Sequence, residues 1–226
     1  SCQRRNQKLL EEAPCHILKE DIRKNLLADA VRAAQSVGYD SVGTIEFLLD
    51  ARGDYYFMEM NTRIQVEHTI SEEITGIDLI KQQIRIADGH KLAYAQEDIV
   101  CKGHAIECRI NAENIKYNFA PSPGEVTFIN FPQGRRVRIE SAVYNDYKIP
   151  PYYDSMIAKI ITYADTRLEC IKRMRSALEE LLIEGVETNI EFQYLLLHHP
   201  TFVGGRYDTG FMDSFIKELK EDGTII

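Results

Sequence analysis

The sequence predicts an α+β protein built in two parts, and three features predict it. Apolar residues recur at helical spacing between Glu20 and Val37. Two β-rich runs, 41–49 and 55–61, are joined by the polar loop Asp50-Ala51-Arg52-Gly53-Asp54, as in a hairpin. From about residue 103, short strand-like stretches follow one another and helices close the chain, so the two element types are segregated rather than strictly alternating.

Residues 1–12 alternate weakly, as at the start of a strand. Ile22, Leu26, Ala30, Ala34 and Val37 form the apolar stripe of a first helix, and Gly38 suits its C-terminal cap. After the hairpin, a second helix is expected over Ile77–Ala87, stopped by Gly89. Residues 90–102 read as a connection, which divides the chain into domains 1–98 and 99–226. Beyond it, His104–Ile110, Gly124–Phe131, Val137–Ala142 and Met156–Tyr163 read as strands, punctuated by Pro121-Ser122-Pro123-Gly124 and Pro150-Pro151. Thr166 and Glu169 form a capping box ahead of a helix with the stripe Leu168, Ile171, Ala177 or Leu178, Leu181 and Leu182. Asn189 caps a further helix through Leu197 that ends near Pro200, and a last helix lies within Gly210–Lys220.

Composition narrows the function classes. The 226 residues are 44% hydrophobic and 27% charged, as in ordinary globular proteins. A net charge of −8 argues against a nucleic-acid partner, because phosphate backbones select basic surfaces. Local basic pockets for anions remain compatible with it. No apolar run approaches the ~20 residues of a membrane span. The basic start, Ser-Cys-Gln-Arg-Arg-Asn-Gln-Lys, has no apolar segment behind it and is not a signal peptide. It lacks an initiator Met, as expected of a chain that begins inside something larger. Cys2, Cys15, Cys101, Cys108 and Cys170 show no C-x-x-C spacing, so the expectation is reduced thiols in a cytoplasmic protein, without a zinc site.

The most informative pattern has period two. Side chains two apart on a strand share a face. Along residues 57–67 one face would carry Phe57, Glu59, Asn61, Arg63, Gln65 and Glu67, and the other Met58, Met60, Thr62, Ile64 and Val66, the latter expected in the core. Pairing across the hairpin would set Glu46 beside Glu59. Two carboxylates and the amide oxygen of Asn61 are hard oxygen ligands that suit Mg²⁺ shared with substrate phosphates. Arg63 suits an anion, Gln65 its orientation and Glu67 a proton. The alternative is the solvated face of an antiparallel sheet, where polar residues alternate outward.

Gly-Thr-Ile-Glu-Phe-Leu at 43–48, Glu-Met-Asn-Thr-Arg-Ile-Gln-Val-Glu-His at 59–68 and Gly-His-Ala-Ile-Glu-Cys-Arg-Ile-Asn-Ala-Glu at 103–113 resemble the biotin carboxylase family. So do Pro-Ser-Pro-Gly at 121–124 and Pro-Pro-Tyr-Tyr-Asp-Ser-Met at 150–156, and the likeness runs over essentially the whole chain. The resemblance implies the C-terminal lobe of an ATP-grasp domain, an antiparallel sheet with helices, followed by a biotin carboxylase C-terminal domain. It implies MgATP-dependent carboxylation of biotin by bicarbonate, with Mg²⁺ or Mn²⁺ as metal, ATP as substrate and biotin as acceptor. Glu46 and Glu59 would ligate the metal and contact ATP, with Asn61 beside them. Arg63, Gln65 and the amide of Val66 would hold bicarbonate, and Glu67 would be the general base. Arg138 would stabilise the biotin enolate, a task for a cation that never titrates away. Gln3 would contact the nucleotide and Lys8 a phosphate or bicarbonate. Asn6 stands where the family has His; it can hydrogen-bond a ribose hydroxyl but carries no charge.

The resemblance also implies partners: a biotin carboxyl carrier protein, carboxyltransferase subunits and a second copy in a homodimer. Acetyl-CoA carboxylase in fatty acid synthesis is the expected parent, with pyruvate carboxylase as the alternative. The family's amino-terminal half, with its α/β domain and glycine-rich lid, has no counterpart here, and no glycine-rich phosphate loop occurs. The chain is therefore expected to be a fragment, inactive alone. A non-catalytic dimerisation and folding module is the competing class. Another ATP-grasp ligase, such as a carbamoyl phosphate synthase relative, is disfavoured by the blocks within 103–156. Simpler readings apply elsewhere: His68 and His104 as hydrogen-bonded core histidines, Arg109 paired with a buried acid, His198-His199 complementing a helix dipole, and Pro150–Asp154 as architecture.

Overall fold

The computed structural model describes residues 1–224. The chain opens with strands β1 (Cys2–Arg4) and β2 (Gln7–Ala13), followed by helix α1 (Glu20–Ser36). Next come β3 (Thr44–Leu49), β4 (Tyr55–Asn61), α2 (His68–Thr75) and α3 (Leu79–Ala87). Then follow β5 (His104–Asn111), β6 (Glu113–Asn114), β7 (Ala120–Pro121), β8 (Gly124–Val126), β9 (Phe128–Asn130), β10 (Val137–Ser141), β11 (Tyr147–Ile149) and β12 (Met156–Ala164). The chain continues with α4 (Arg167–Glu180), β13 (Leu182–Glu184), α5 (Ile190–His198), α6 (Pro200–Val203) and α7 (Phe211–Glu221). The α+β class is the one the sequence predicts.

Two compact units result: Cys15–Cys101, and Ser1–Pro14 together with the chain from Lys102 onward. The expected boundaries put residues 1–98 in one domain, but the first fourteen residues group with the other unit. The reason is backbone pairing, since β2 lies antiparallel to β5 with Leu10 opposite Cys108 and Ala13 opposite Ala105. β1 and β2 are themselves a hairpin closed by Arg5 and Asn6, both at positive φ (48° and 63°). Asn tolerates that left-handed conformation better than most residues.

In the larger unit a five-stranded antiparallel sheet runs β1-β2-β5-β12-β10. Register and period two divide its side chains. Leu10, Ile106, Cys108, Ile110, Ala158 and Ile160 fall on one face and join Cys170, Ile171, Met174, Ala177 and Leu178 of α4 in the core. Two residues of the predicted α4 stripe, Leu168 and Leu182, are instead about half exposed, and Cys170 and Met174 take the buried positions. Thr166 caps α4, accepting from the Glu169 amide. Asn189 stands at the N-cap position of α5, but its side chain does other work: Oδ1 accepts from the Asn111 amide at 2.8 Å and Nδ2 donates to the Arg109 carbonyl at 3.0 Å. Gly103, at φ 65°, leads into β5 where a Cβ would meet the Ala164 carbonyl at 2.5 Å, so only glycine fits.

The same face carries a buried charge cluster. Glu12 accepts from Arg167 Nε at 2.7 Å, lies 2.8 Å from His104 Nε2 and accepts from the Tyr207 hydroxyl. Arg167 also donates to the carbonyls of Phe202 and Val203, which ties α4 and α6 to β2. Burial opposes the Glu12 charge, and the hydrogen bonds from His104, Arg167 and Tyr207 overcome it, drawing the carboxyl down to about 2.

In the smaller unit α1 ends as predicted, with Gly38 at φ 63° and its amide on the Gln35 carbonyl. β3 and β4 form the predicted hairpin, but the predicted core face does not hold: Met58 is 48% exposed and Thr62 is exposed, while Met60, Ile64 and Val66 are only half-buried. The expected helix at 77–87 is α3; the preceding helix α2 is an addition to the predicted elements. Asp78 caps α3 by accepting from the Lys81 amide.

Two outcomes follow. Because the Glu12 carboxyl is depressed in the fold, its contribution to stability is complete above the ordinary carboxylate range and falls away as pH drops toward 2. Glu12→Gln should cost about 3 kcal/mol in urea unfolding at pH 7 and flatten the acid limb of the stability curve. Burial pushes the Cys2 thiol up to about 12, Cys170 up to about 11 and Cys108 well upward, whereas Cys15 and Cys101 are exposed. Alkylation of the native chain should modify Cys15 and Cys101, with the other three reacting only after unfolding.

Candidate functional site

The acids of the smaller unit meet as the hairpin pattern predicts. Glu46 and Glu59 are directly opposite across β3 and β4, and Thr44 is opposite Asn61. Between the pairs Glu46–Glu59 and Phe47–Phe57 the register shifts, leaving Met58 as an extra residue on β4. That bulge removes Phe57 from the acid face, a correction to the strict alternation. Phe47 makes edge-to-face contacts with Tyr55 and with Phe57, and the three rings line a groove with Asp29 and Arg32 of α1. The Tyr55 hydroxyl donates to Asp29 at 2.7 Å.

Amide groups gather the two carboxylates. Asn61 Nδ2 donates to Glu59 Oε1 at 2.7 Å and lies 3.4 Å from Glu46 Oε1. Gln65 Nε2 donates to Glu46 Oε1 at 3.3 Å. The carboxylate heads therefore converge, as a shared cation requires. Asn61 serves them through its nitrogen, while its Oδ1 accepts from Arg63 at 3.4 Å; ligation through the oxygen calls for rotation of the amide. Among the described residues no group of three or more His, Cys, Asp or Glu is placed to hold a metal ion by itself. Two carboxylates and an amide fit a magnesium ion that completes its shell with phosphate oxygens and water, rather than an all-protein cage.

The strand ends at Asn61, so Arg63, Gln65 and Glu67 are not on one strand face as the period-two pattern supposes. Residues 62–67 form a loop that turns into α2, with Glu67 at the N-cap position. Buried Gln65 reaches Glu46 from this loop, and exposed Arg63 reaches Asn61, so the polar groups still gather around the acids by a different backbone route. Val66 and Glu67 lie at the N-terminus of α2, where helix amides and the dipole favour anions. His68 opens the helix. Its Nδ1 lies 2.8 Å from the Gln65 carbonyl and its Nε2 4.0 Å from Glu72, which makes it a hydrogen-bonded brace for this turn. The sequence does hold signals for α2: Gly76 at the C-cap, and Glu72, whose carboxylate accepts the Leu79 amide.

The remaining candidates lie in the larger unit. Gln3 and Lys8 are opposite each other across the β1–β2 hairpin and Asn6 is in its turn. Arg138 lies on β10 opposite Ile161, and its guanidinium donates to Glu140. It belongs to a line of alternating charges on the sheet face opposite α4. Glu140 pairs with Lys159 Nζ at 2.7 Å, Lys159 with Glu107 at 3.6 Å, Glu107 with Arg109 at 3.8 Å, and Arg109 with Glu11 at 3.7 Å. Glu107 is fully buried and Lys159 is 7% exposed. Lys159, held between two acids, is the residue the pattern of the sequence does not single out; its place on β12 opposite Arg109 is the signal that finds it. Arg109 pairs with buried acids, as expected of it. His104 is hydrogen-bonded to Glu12, and His199 lies 3.0 Å from Glu218. In the 150–154 block, Tyr152 and Tyr153 are exposed and Asp154 lies 3.4 Å from Gln7 Nε2.

Two family models match the chain, and the one over residues 1–95 takes in most of the smaller unit together with the first fourteen residues of the larger. The family model described as "Biotin carboxylase C-terminal domain" matches residues 107–214, and that described as "Carbamoyl-phosphate synthase L chain, ATP binding domain" matches residues 1–95. Biotin carboxylase 1 of Bacillus subtilis is 56% identical over 95% of the chain, which covers 48% of that relative. A pyruvate carboxylase subunit of Methanothermobacter thermautotrophicus is 51% identical over 95% of the chain and 44% of the relative. The chain thus spans about half the length of these curated relatives. Among solved structures, the biotin carboxylase domain dimer of the Hydrogenobacter thermophilus 2-oxoglutarate carboxylase, in complex with MgADP, ADP and bicarbonate, superposes with a TM-score of 0.93. That match is 48% identical and covers 95% of this chain and 47% of that one.

Proposed function

The chain belongs to the biotin carboxylase family, and from that premise we propose that it supplies the bicarbonate-activating and carboxyl-acceptor residues of an ATP-dependent biotin carboxylase. The observation that carries this reading is the convergence of Glu46, Glu59, Asn61, Arg63 and Gln65 ahead of the N-terminus of α2. Glu46 and Glu59 would hold Mg²⁺ or Mn²⁺, which when bound neutralises the ATP phosphates. Arg63, Gln65 and the Val66 amide bind and orient bicarbonate. Glu67 takes the bicarbonate proton, so that the anion becomes nucleophilic toward the γ-phosphorus. In the larger unit, the family resemblance gives Gln3 and Asn6 contacts to the nucleotide and Lys8 a contact to a phosphate or bicarbonate.

Attack on the γ-phosphorus releases ADP and gives carboxyphosphate, which breaks down to CO₂ and phosphate. On the acceptor side the phosphate takes the ureido proton of biotin, whose nitrogen then takes up the CO₂, and the enolate-like oxygen gains charge that a guanidinium stabilises. Arg138 is the assigned cation, and Arg109 is a second guanidinium on the same sheet face. Arg138 is about a third exposed and bound to Glu140; Arg109 is 12% exposed and lies 3.7 Å from Glu11 and 3.8 Å from Glu107. The partners in this reading are a biotin carboxyl carrier protein, carboxyltransferase subunits and a second copy of the chain, in a cytoplasmic acetyl-CoA carboxylase. The 51% identity to a pyruvate carboxylase component favours pyruvate as the second reading of the final acceptor. No helix among the described residues is long and apolar enough to cross a membrane.

The test is a hybrid in which this chain replaces the matching half of the Bacillus subtilis relative. The hybrid should cleave ATP in a bicarbonate-dependent, biotin-stimulated manner, and the 226-residue chain alone should not. Glu67→Gln in the hybrid should lower kcat at least about 100-fold. Glu46→Gln or Glu59→Gln should weaken Mn²⁺ binding in the presence of ADP, followed by electron paramagnetic resonance, by roughly tenfold or more. Arg109→Lys and Arg138→Lys, made singly, assign the acceptor-side cation: the variant that loses carboxybiotin formation while keeping bicarbonate-dependent ATP cleavage identifies it.

A further inference from the structure

We propose that Lys159 is a positioning residue for the carboxyl-acceptor side of the reaction, acting as the central, buried cation of a charge line that sets both Arg109 and Arg138. This rests on the reading that an arginine of this sheet face supports biotin activation.

The line crosses four strands in one alternating order. From β10 to β2 it runs Arg138, Glu140, Lys159, Glu107, Arg109 and Glu11, each group near the next and opposite to it in sign. The strand register enforces that order, since Glu140 is opposite Lys159, Lys159 is opposite Arg109 and Glu107 is opposite Glu11. A single ammonium group stands between the two guanidinium halves. On one side it holds Glu140, the carboxylate that receives Arg138. On the other it neutralises Glu107, which also faces Arg109.

Burial makes this middle position consequential. A charge taken from water must find compensation inside the protein, and removing one partner leaves the other charge exposed to a low-dielectric surrounding. With Lys159 replaced by an apolar residue, Glu107 and Glu140 lose the cation they share and lean on the two arginines. Each guanidinium is then drawn toward its carboxylate or loses it to protonation, and either outcome moves the cation that an enolate would meet. The backbone cannot follow to compensate on the β5 side. The Arg109 carbonyl accepts from both Asn189 Nδ2 at 3.0 Å and Gln193 Nε2 at 3.1 Å, which pins the strand while leaving the side chain as the adjustable part.

Lys159→Met, Lys159→Arg and Glu140→Gln in the hybrid test the proposal. For Lys159→Met the KM for biotin should rise about tenfold, with more ATP cleaved per carboxybiotin formed, and biotin-independent, bicarbonate-dependent ATP cleavage should change by less than about twofold. Lys159→Arg, which keeps the charge, should restore the biotin KM and the coupling ratio. A folded Lys159→Met protein with unchanged biotin KM and coupling overturns the proposal. If Lys159→Met does not fold, Glu140→Gln decides: a raised biotin KM supports the charge line, and a wild-type value overturns it. Absence of bicarbonate-dependent ATP cleavage in the unsubstituted hybrid overturns the underlying reading, and this inference with it.

Discussion

The alternation of β5 is the constraint from which the larger unit follows. The strand lies in the middle of the sheet, between β2 and β12, and is buried along nearly its whole length. Ile106, Cys108 and Ile110 point into the apolar core, while Glu107 and Arg109 point to the charged face. A slip of one residue would drive two charges into the core and expose three apolar side chains, so the register is enforced by both faces at once. The polar braces from Asn189 and Gln193 act at the same place, fastening α5 to the backbone of this strand.

The two faces of that sheet use buried charge in different ways. Around Glu12, one carboxylate is gripped by three donors from three parts of the chain, and the result is a compact tie. Across Lys159 the charges form a line with two guanidinium groups spaced along it. A cluster closed around one acid acts as structure. A line of alternating charges passes a change at one position to its neighbours, because each group is shared by two partners. Within the line the contacts are uneven: Glu140 meets Lys159 at 2.7 Å, whereas Glu107 lies 3.6 Å from Lys159 and 3.8 Å from Arg109.

Much of the molecule is legible from residue pattern. Helix α1, the β3–β4 hairpin, β5, β12 and α4 follow from periodicity, caps and turn residues, and the opposition of Glu46 and Glu59 follows from hairpin pairing. What is not legible is of one kind. The pairing of β2 with β5 joins residues about a hundred positions apart, and local pattern carries no record of it. The charge line is likewise assembled from four strands, and Lys159 acquires its place only through register. The loop at 62–67 misleads the alternation argument for a different reason. Its polar residues happen to keep period two, but Gln65 reaches Glu46 and Arg63 reaches Asn61 from a turn braced by His68, not from a strand.

The extra residue on β4 has a consequence for how this hairpin tolerates change. Substitutions at Met58 alter only a half-exposed side chain. Loss of the residue is another matter. Without it, Glu46 and Phe47 would still face Glu59 and Phe57, now in one uninterrupted ladder, and the local bend and added twist that the bulge gives this strand would be lost. Pairing at this position is therefore indifferent to the side chain that fills it, and what the extra residue sets is the curvature of the strand that carries the acid and its aromatic neighbours.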